Sequence, residues 1–128
     1  MNYLYTILAI LWTALILHVS SIPSQSFPGS GSITEQIISN LTHIPEYAIL
    51  TFLWLKVFLK ENKRKLPKTY LLIIIGLAVF AVSDEIHQSF VLGRSASFMD
   101  IGLDAIGIFF GFKSIQFLDG IYRINRIK

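Results

Sequence analysis

Apolar segments long enough to cross a lipid bilayer dominate this chain of 128 residues. A hydrocarbon core of about 30 Å needs about 20 helical residues, and segments at about 3–20, 41–60, 69–90 and 98–118 approach or meet that length. The composition, 53% hydrophobic and only 15% charged, is also that of a membrane protein. The sequence therefore predicts an all-α fold, a polytopic membrane four-helix bundle, in a single domain over residues 1–128.

The first segment has an alternative interpretation as a cleaved signal peptide. No basic residue precedes its apolar run, and the following HVSSIPS is a poor small-residue cleavage site, so a retained span is favoured. Residues 20–34 are rich in Ser, Pro and Gly, which predicts an irregular, exposed loop.

The basic residues indicate the orientation of the spans. Nine of the eleven Lys and Arg residues lie in residues 60–68 or 113–128. Cytoplasmic loops of membrane proteins are enriched in Lys and Arg, so we expect a multi-pass protein of the cell membrane with both termini cytoplasmic. Loops 20–40 and 91–97 would then lie outside. The basic residues flank apolar segments and do not line a soluble face, so membrane lipids are expected partners and nucleic acid is not.

Polar side chains gather near the outer ends of the last three spans. At 1.5 Å per residue, each lies within about 10 Å of its span's outer end. Such groups are costly in hydrocarbon, so they usually face a protein interior or a watery cavity and usually have a function. In chain order they are His43, Glu46, Tyr47, Asp84, Glu85, His87, Gln88, Asp100 and Asp104.

Helical spacing assigns some of these residues to shared faces. Residues three or four apart lie on one face, which groups Asp100 and Asp104 with Gly107 and Gly111. A G-x-x-x-G pair lets two membrane helices approach closely. The two carboxylates should therefore point at a neighbouring helix and not at lipid.

Arg94 is the one basic residue expected outside, in the loop VLGRSAS. Gly93 before it predicts a turn. The guanidinium could pair with Asp84, Glu85 or Asp100, or hold an anionic ligand group through two hydrogen bonds.

These residues also have a purely structural interpretation. Asp84, His87, Arg94 and Asp100 could form a buried polar clamp that only holds the helices together. Glu85 lies off the face of Asp84 and could equally be a solvated surface charge.

The pattern D-E-x-H-Q-x-F-x-x-x-R-x-x-x-x-x-D, which begins at Asp84 and ends at Asp100, resembles the VanZ-like family. The H-x-x-x-Y of His43 and Tyr47 also resembles the family's second-helix motif, and the resemblance covers nearly the whole chain. One departure is Asp104, where a neutral Asn would be expected. The resemblance implies a small bacterial membrane protein, and the name of the family implies a role in resistance to the glycopeptide teicoplanin.

Two functions are open at this point. The first is a non-catalytic envelope protein that binds a ligand, a lipid headgroup, a lipid-linked envelope precursor or a glycopeptide. Assembly as an oligomer is compatible with this function. The second is a small membrane enzyme acting on a lipid-linked or phosphate-bearing substrate. The candidate catalytic residues are His43, Glu46, Asp84, Glu85 and His87, and the candidate ligand-binding residues are Tyr47, Gln88, Arg94, Asp100 and Asp104.

The same side chains could hold a divalent cation, since imidazole and carboxylate groups are common ligands of such ions. The chain has no cysteine, which excludes disulfides and thiolate metal sites. Several carboxylates without a cation or a proton would repel a phosphate group, so the phosphate version of the enzyme hypothesis needs one or the other.

Overall fold

Four helices account for nearly all of the structure, a computed structural model that describes residues 2–23, 33–58, 68–94 and 96–125. Within these ranges the side chains of residues 33–39, 119 and 121–125 are not described. The helices are α1 (Tyr3–Ser20), α2 (Ile33–Phe58), α3 (Lys68–Gln88) and α4 (Phe98–Asn125). The predicted all-α four-helix fold is confirmed, and residues 59–60 of the second predicted span lie outside the described residues.

The boundaries of α2 and α4 differ from the prediction. The loop predicted over residues 20–40 is wrong in its last part, because α2 already begins at Ile33. The segment ITEQIISNL has helix-favouring Glu and Gln and places Ile33, Ile37 and Leu41 at four-residue spacing. The polar residues between these apolar positions are the reason why the sequence predicts a loop here. Helix α4 continues beyond residue 118 to Asn125.

Within the described residues, three helices are long and apolar enough to cross a membrane. They are Tyr3–Ser20, Lys68–Gln88 and Phe98–Leu118. Helix α2 is not among them, because His43, Glu46 and Lys56 interrupt its apolar sequence. It is instead the helix most enclosed by protein, and it contacts α1, α3 and α4. Polar groups are tolerated at membrane depth where neighbouring helices shield them from lipid.

The helices alternate in direction, and their inner faces form one core. Ile16, Tyr47, Leu77 and Ile108, one residue from each helix, belong to the same buried apolar cluster. The outer faces of the bundle are also apolar: Leu72, Val79 and Phe109, for example, are exposed. A continuous apolar exterior of this kind is typical of a bundle surrounded by lipid.

The closest helix pair is α2 and α4, and glycines permit it. A Cβ atom added at Gly107 would lie 2.5 Å from the Ile44 carbonyl oxygen and 2.9 Å from Tyr47 Cβ, and one added at Gly111 would lie 2.7 Å from Thr51 Cβ. No side chain larger than hydrogen fits at these distances. The prediction that this stripe of α4 faces a neighbouring helix is confirmed, and the neighbour is α2.

Candidate functional site

The alternating helices bring the predicted polar residues to one end of the bundle. This polar layer contains the end of α1, the first half of α2, the last turns of α3 and the start of α4. The convergence of three spans at one depth was predicted, whereas the contribution of α1 was not. The layer consists of Ser20, His43, Glu46, Tyr47, Asp84, Glu85, Gln88, Arg94, Asp100 and Asp104.

One part of the layer, the clamp cluster, consists of Ser20, Asp84, Gln88 and Arg94. Asp84 is buried, and its Oδ2 accepts hydrogen bonds from Ser20 Oγ at 2.9 Å and from Gln88 Nε2 at 3.0 Å. Residues four apart share a helix face, and this direct bond shows that Asp84 and Gln88 do so at the end of α3. These contacts join the last residue of α1 to the last two turns of α3.

Arg94 completes the clamp cluster. Its Nη1 donates to Gln88 Oε1 at 3.1 Å, its Nε donates to the Ile22 carbonyl at 3.0 Å, and its Nη2 donates to the Val19 carbonyl at 3.2 Å. A cation at this position also complements the partial negative charge at the C-terminal end of α1. The sequence predicts carboxylates or an anionic ligand group as partners of Arg94, and it does not predict these backbone carbonyl acceptors. The preceding Gly93 has φ of 78°, as the predicted turn requires.

His87 lies apart from the buried residues. Its side chain is on the exposed face of the last turn of α3, and its Nε2 is 3.0 Å from Ser21 Oγ. The residues of the motif DExHQ therefore have different environments. Asp84, Glu85 and Gln88 are buried, and His87 is at the surface.

A second part of the layer, the His43 cluster, consists of His43, Glu85 and Asp104. His43 Nδ1 lies 2.8 Å from Asp104 Oδ1, and the two side chains are 12% and 0% exposed. Glu85 is 1% exposed, and its Oε2 accepts a hydrogen bond from the Ser97 backbone N–H at 2.9 Å. One potential ligand atom of each of the three residues lies within 4.8 Å of the others.

Glu85 corrects the interpretation of a solvated surface charge. Glu85 lies off the face of Asp84, as predicted, but the face of α3 that carries Glu85 packs against the beginning of α4. Ser97, which accepts the Asp100 N–H at 3.3 Å with its Oγ, caps this helix. The contribution of Ser97 was missed, although the S-x-x-D pattern of Ser97 and Asp100 before an apolar run is a known sign of a helix start.

The remaining predicted residues line the same region. Glu46 is half-buried and within electrostatic range of His43, Asp84 and Asp104. Asp100 is also half-buried, at the first turn of α4. Tyr47 is fully buried, one helical turn beyond His43, and its ring lies 6.2 Å from that of Phe80.

Several buried oxygens of the layer have no hydrogen-bond partner among the described residues. Buried acceptors are normally paired, so each such oxygen marks a place where a donor, a proton or a cation would be accommodated. The carboxylate atoms are Asp84 Oδ1, Glu85 Oε1, Asp100 Oδ1 and Asp104 Oδ2, and the hydroxyl is Tyr47 Oη.

An apolar cavity of about 330 Å³ lies beside the core, between α1, α2 and α3. Phe80 lines it and also contacts the buried Tyr47 of the polar layer. The other lining residues are Thr13, Leu50, Trp54, Phe58, Ile73, Gly76 and Leu77.

A comparison with known protein families identifies the family of this chain. The family model VanZ/LLP1 matches residues 4–119, which include most of α1 and α4 and all of α2 and α3. The chain belongs to the VanZ/LLP1 family. The resemblance seen in the sequence is thereby confirmed, and family and apolar helices together identify a membrane protein. No match was found among curated proteins or among solved structures.

Proposed function

We propose that this VanZ/LLP1 protein binds a ligand or lipid headgroup in its polar layer at the outer membrane face and thereby lowers the susceptibility of the cell to glycopeptides such as teicoplanin. The observation that carries the proposal is the set of buried carboxylate oxygens on α3 and α4 that have no hydrogen-bond partner among the described residues. If the only role of these side chains were to hold the helices together, hydrogen bonds from within the protein to these oxygens would make the fold more stable.

The unpaired atoms favour a particular ligand chemistry. Carboxylate oxygens accept hydrogen bonds, so hydroxyl, amide or ammonium groups would pair with them directly. A bare phosphate would meet repulsion from Asp100 and Asp104. Arg94, a basic residue of the layer, already donates to Gln88 and to backbone carbonyls. Sugars, amino-sugars, peptide amides and amine headgroups therefore fit better than phosphate alone.

The apolar cavity favours a ligand that carries a hydrocarbon chain. Its lining is almost wholly aliphatic and aromatic, and Phe80 connects it to Tyr47 in the polar layer. A lipid-linked envelope precursor or a membrane lipid could place its polar group against the carboxylates and one chain in this cavity. A glycopeptide acting as the direct ligand would engage the polar layer without the cavity.

The proposal includes four membrane crossings with both termini in the cytoplasm. Helix α2, shielded by the other three helices, would be the fourth crossing. Single cysteines at Ser26 and at Lys63, introduced into this cysteine-free chain, would test the orientation. The cysteine at Ser26 should react with an impermeant maleimide added to intact cells, and the one at Lys63 should react only after the cells are permeabilised. The reverse pattern would place the polar layer at the cytoplasmic face.

The functional test is teicoplanin susceptibility in a Gram-positive host. Expression of the wild type should raise the inhibitory concentration, and Glu46→Gln or Asp100→Asn should abolish that increase at equal membrane abundance. Ser114→Ala is the matched control, because Ser114 is an exposed residue of α4 whose hydroxyl bonds only its own helix at Phe110. Full resistance in both acidic-residue variants would argue against a binding role for the layer.

A small membrane enzyme is the second candidate. The His43–Asp104 contact is the observation that favours it, because a carboxylate that orients an imidazole is a common arrangement for general acid–base catalysis. Glu85 and Glu46 would be further proton donors or acceptors. Lipid extracts from cells expressing the wild type and His43→Asn, compared by mass spectrometry, would show a product dependent on His43 if the protein is an enzyme.

A further inference from the structure

The His43 cluster has the composition of a metal site assembled from three helices. His43 comes from α2, Glu85 from α3 and Asp104 from α4, and one potential ligand atom of each lies within 4.8 Å of the others. We infer that these three side chains bind one divalent cation and leave at least one coordination position open. This inference concerns the same polar layer as the proposed function and rests on that layer being a binding site.

An independent observation points to a ligand at this place. Glu85 Oε1 and Asp104 Oδ2 belong to side chains that are 1% and 0% exposed, and neither atom has a hydrogen-bond partner among the described residues. Two buried carboxylates at this separation repel each other unless a proton or a cation lies between them. A divalent cation would pair with both unpartnered oxygens at once.

The surrounding backbone holds the proposed ligands in position. The Ser97 N–H, at the beginning of α4, donates to Glu85 Oε2 at 2.9 Å, and Oε1 has no partner among the described residues. Groups that orient the ligands of a metal from outside raise both its affinity and its selectivity. The close approach of α2 and α4 at Gly107 fixes the separation of His43 and Asp104, one turn away.

The donor atoms indicate the class of cation. One imidazole nitrogen with carboxylate oxygens and no thiolate suits Zn²⁺, Mn²⁺ or Fe²⁺ better than copper(I) or an iron–sulfur cluster. Ligands at about 2.1 Å from a metal and at right angles are about 3 Å apart, and His43 Nδ1 is 2.8 Å from Asp104 Oδ1. A cation that replaces the proton of this contact would bind Nδ1 and Oδ1 as neighbouring ligands, and Asp104 would then bind it through both carboxylate oxygens. Asp104 supplies a full negative charge where the resemblance to the family leads one to expect Asn.

The alternative is a hydrogen-bonded pair without a metal, in which His43 donates to Asp104 and the other carboxylate carries a proton. Metal content separates the two. Protein purified without a polyhistidine tag should contain about one transition-metal ion per chain by elemental analysis. After removal of metal by EDTA, Mn²⁺ or Zn²⁺ should raise its melting temperature, because a ligand that binds only the folded state stabilises it.

Variants identify the ligands. His43→Ala, Glu85→Gln and Asp104→Asn should each weaken Mn²⁺ or Zn²⁺ affinity by at least about 10-fold. His87→Ala is the matched control and should bind like the wild type, since His87 is an exposed histidine outside the cluster. Equal loss of affinity in His87→Ala, or no loss in the three ligand variants, would overturn the inference.

A measurement on the wild type tests the inference even if the variants do not fold. Electron paramagnetic resonance of bound Mn²⁺ should show hyperfine coupling to one imidazole nitrogen. Binding without nitrogen coupling would place the cation away from His43 and would contradict the inference, as would the absence of binding.

The outcome can be distinguished from that of the proposed function. If no cation binds but Glu46→Gln still removes teicoplanin resistance, the metal inference fails and the ligand-binding proposal stands. If a cation binds through His43 but expression leaves susceptibility unchanged, the metal site stands and the resistance role fails.

Discussion

The clamp cluster and the His43 cluster use similar residues at the same depth but satisfy them differently. In the clamp cluster, Asp84 Oδ2 accepts two hydrogen bonds from side chains of the chain itself, and Gln88 is bonded to both Asp84 and Arg94. In the His43 cluster, Glu85 and Asp104 each have one carboxylate oxygen that is paired and one that has no described partner.

The difference separates two roles that the sequence left open. Internally paired polar groups join helices, so the clamp cluster matches the structural interpretation of Asp84 and Arg94. Buried acceptors in excess of the available donors are costly in a purely structural role, so the His43 cluster is the better candidate for binding. Asp84 Oδ1 also has no partner in the part of the chain that the structure describes, so the two clusters differ in degree.

The largest expected effect comes from separating α2 and α4, the helices that carry His43 and Asp104. A side chain at Gly111 would collide with the Ala48 carbonyl and with Thr51. Gly111→Leu should therefore cost more than about 3 kcal/mol and remove most of the folded protein, measured by yield and melting temperature in detergent. Gly102→Leu is the control, because a Cβ at Gly102 meets nothing within 4 Å. Equal stability of the two variants would show that close packing of α2 on α4 is not required.

The next largest effect should follow from deleting the centre of the clamp cluster. Asp84→Ala strands Ser20 and Gln88 without their shared acceptor. We expect a loss of about 3 kcal/mol in the free energy of unfolding, measured as a lower melting temperature in detergent. A variant as stable as the wild type would remove the structural interpretation of this cluster.

The two clusters should then respond differently to loss of charge. Measured in EDTA, Glu85→Gln should change the free energy of unfolding by no more than about 1 kcal/mol, and a gain is expected if repulsion from Asp104 dominates. The amide oxygen can still accept the Ser97 N–H, and the His43 cluster no longer holds two carboxyl groups that need a proton or a cation between them. Destabilisation as large as that of Asp84→Ala would make Glu85 a clamp residue too.

The smallest effect is expected at His87. Its bond with Ser21 is exposed to solvent, so His87→Ala should alter the free energy of unfolding by less than about 0.5 kcal/mol. Thermal unfolding beside the wild type is sufficient to measure this. A larger loss in the free energy of unfolding than that caused by Glu85→Gln would show that His87 is needed to hold the end of α1 in place.

Much of the architecture was predictable from local patterns. The limits of α1 agree with the predicted span, because an uninterrupted apolar run of membrane length has few alternatives. The four-residue spacing of Gly107 and Gly111 likewise predicted a contact face on α4. The start of α2 at Ile33 was missed, since its polar residues resemble a loop when the enclosing helices are unknown.

The sequence by itself determined that this protein is a helical membrane protein of the VanZ/LLP1 family with acidic and histidine residues at one depth. Those properties depend on composition, periodicity and motif spacing, which are local. Only the tertiary structure decided that Glu85 is buried beside His43 and Asp104, and that Arg94 holds the carbonyls of Val19 and Ile22. Spacing assigns a residue to a face of its own helix, but the partner of that face depends on how distant helices pack, and a backbone carbonyl acceptor has no signature in the sequence.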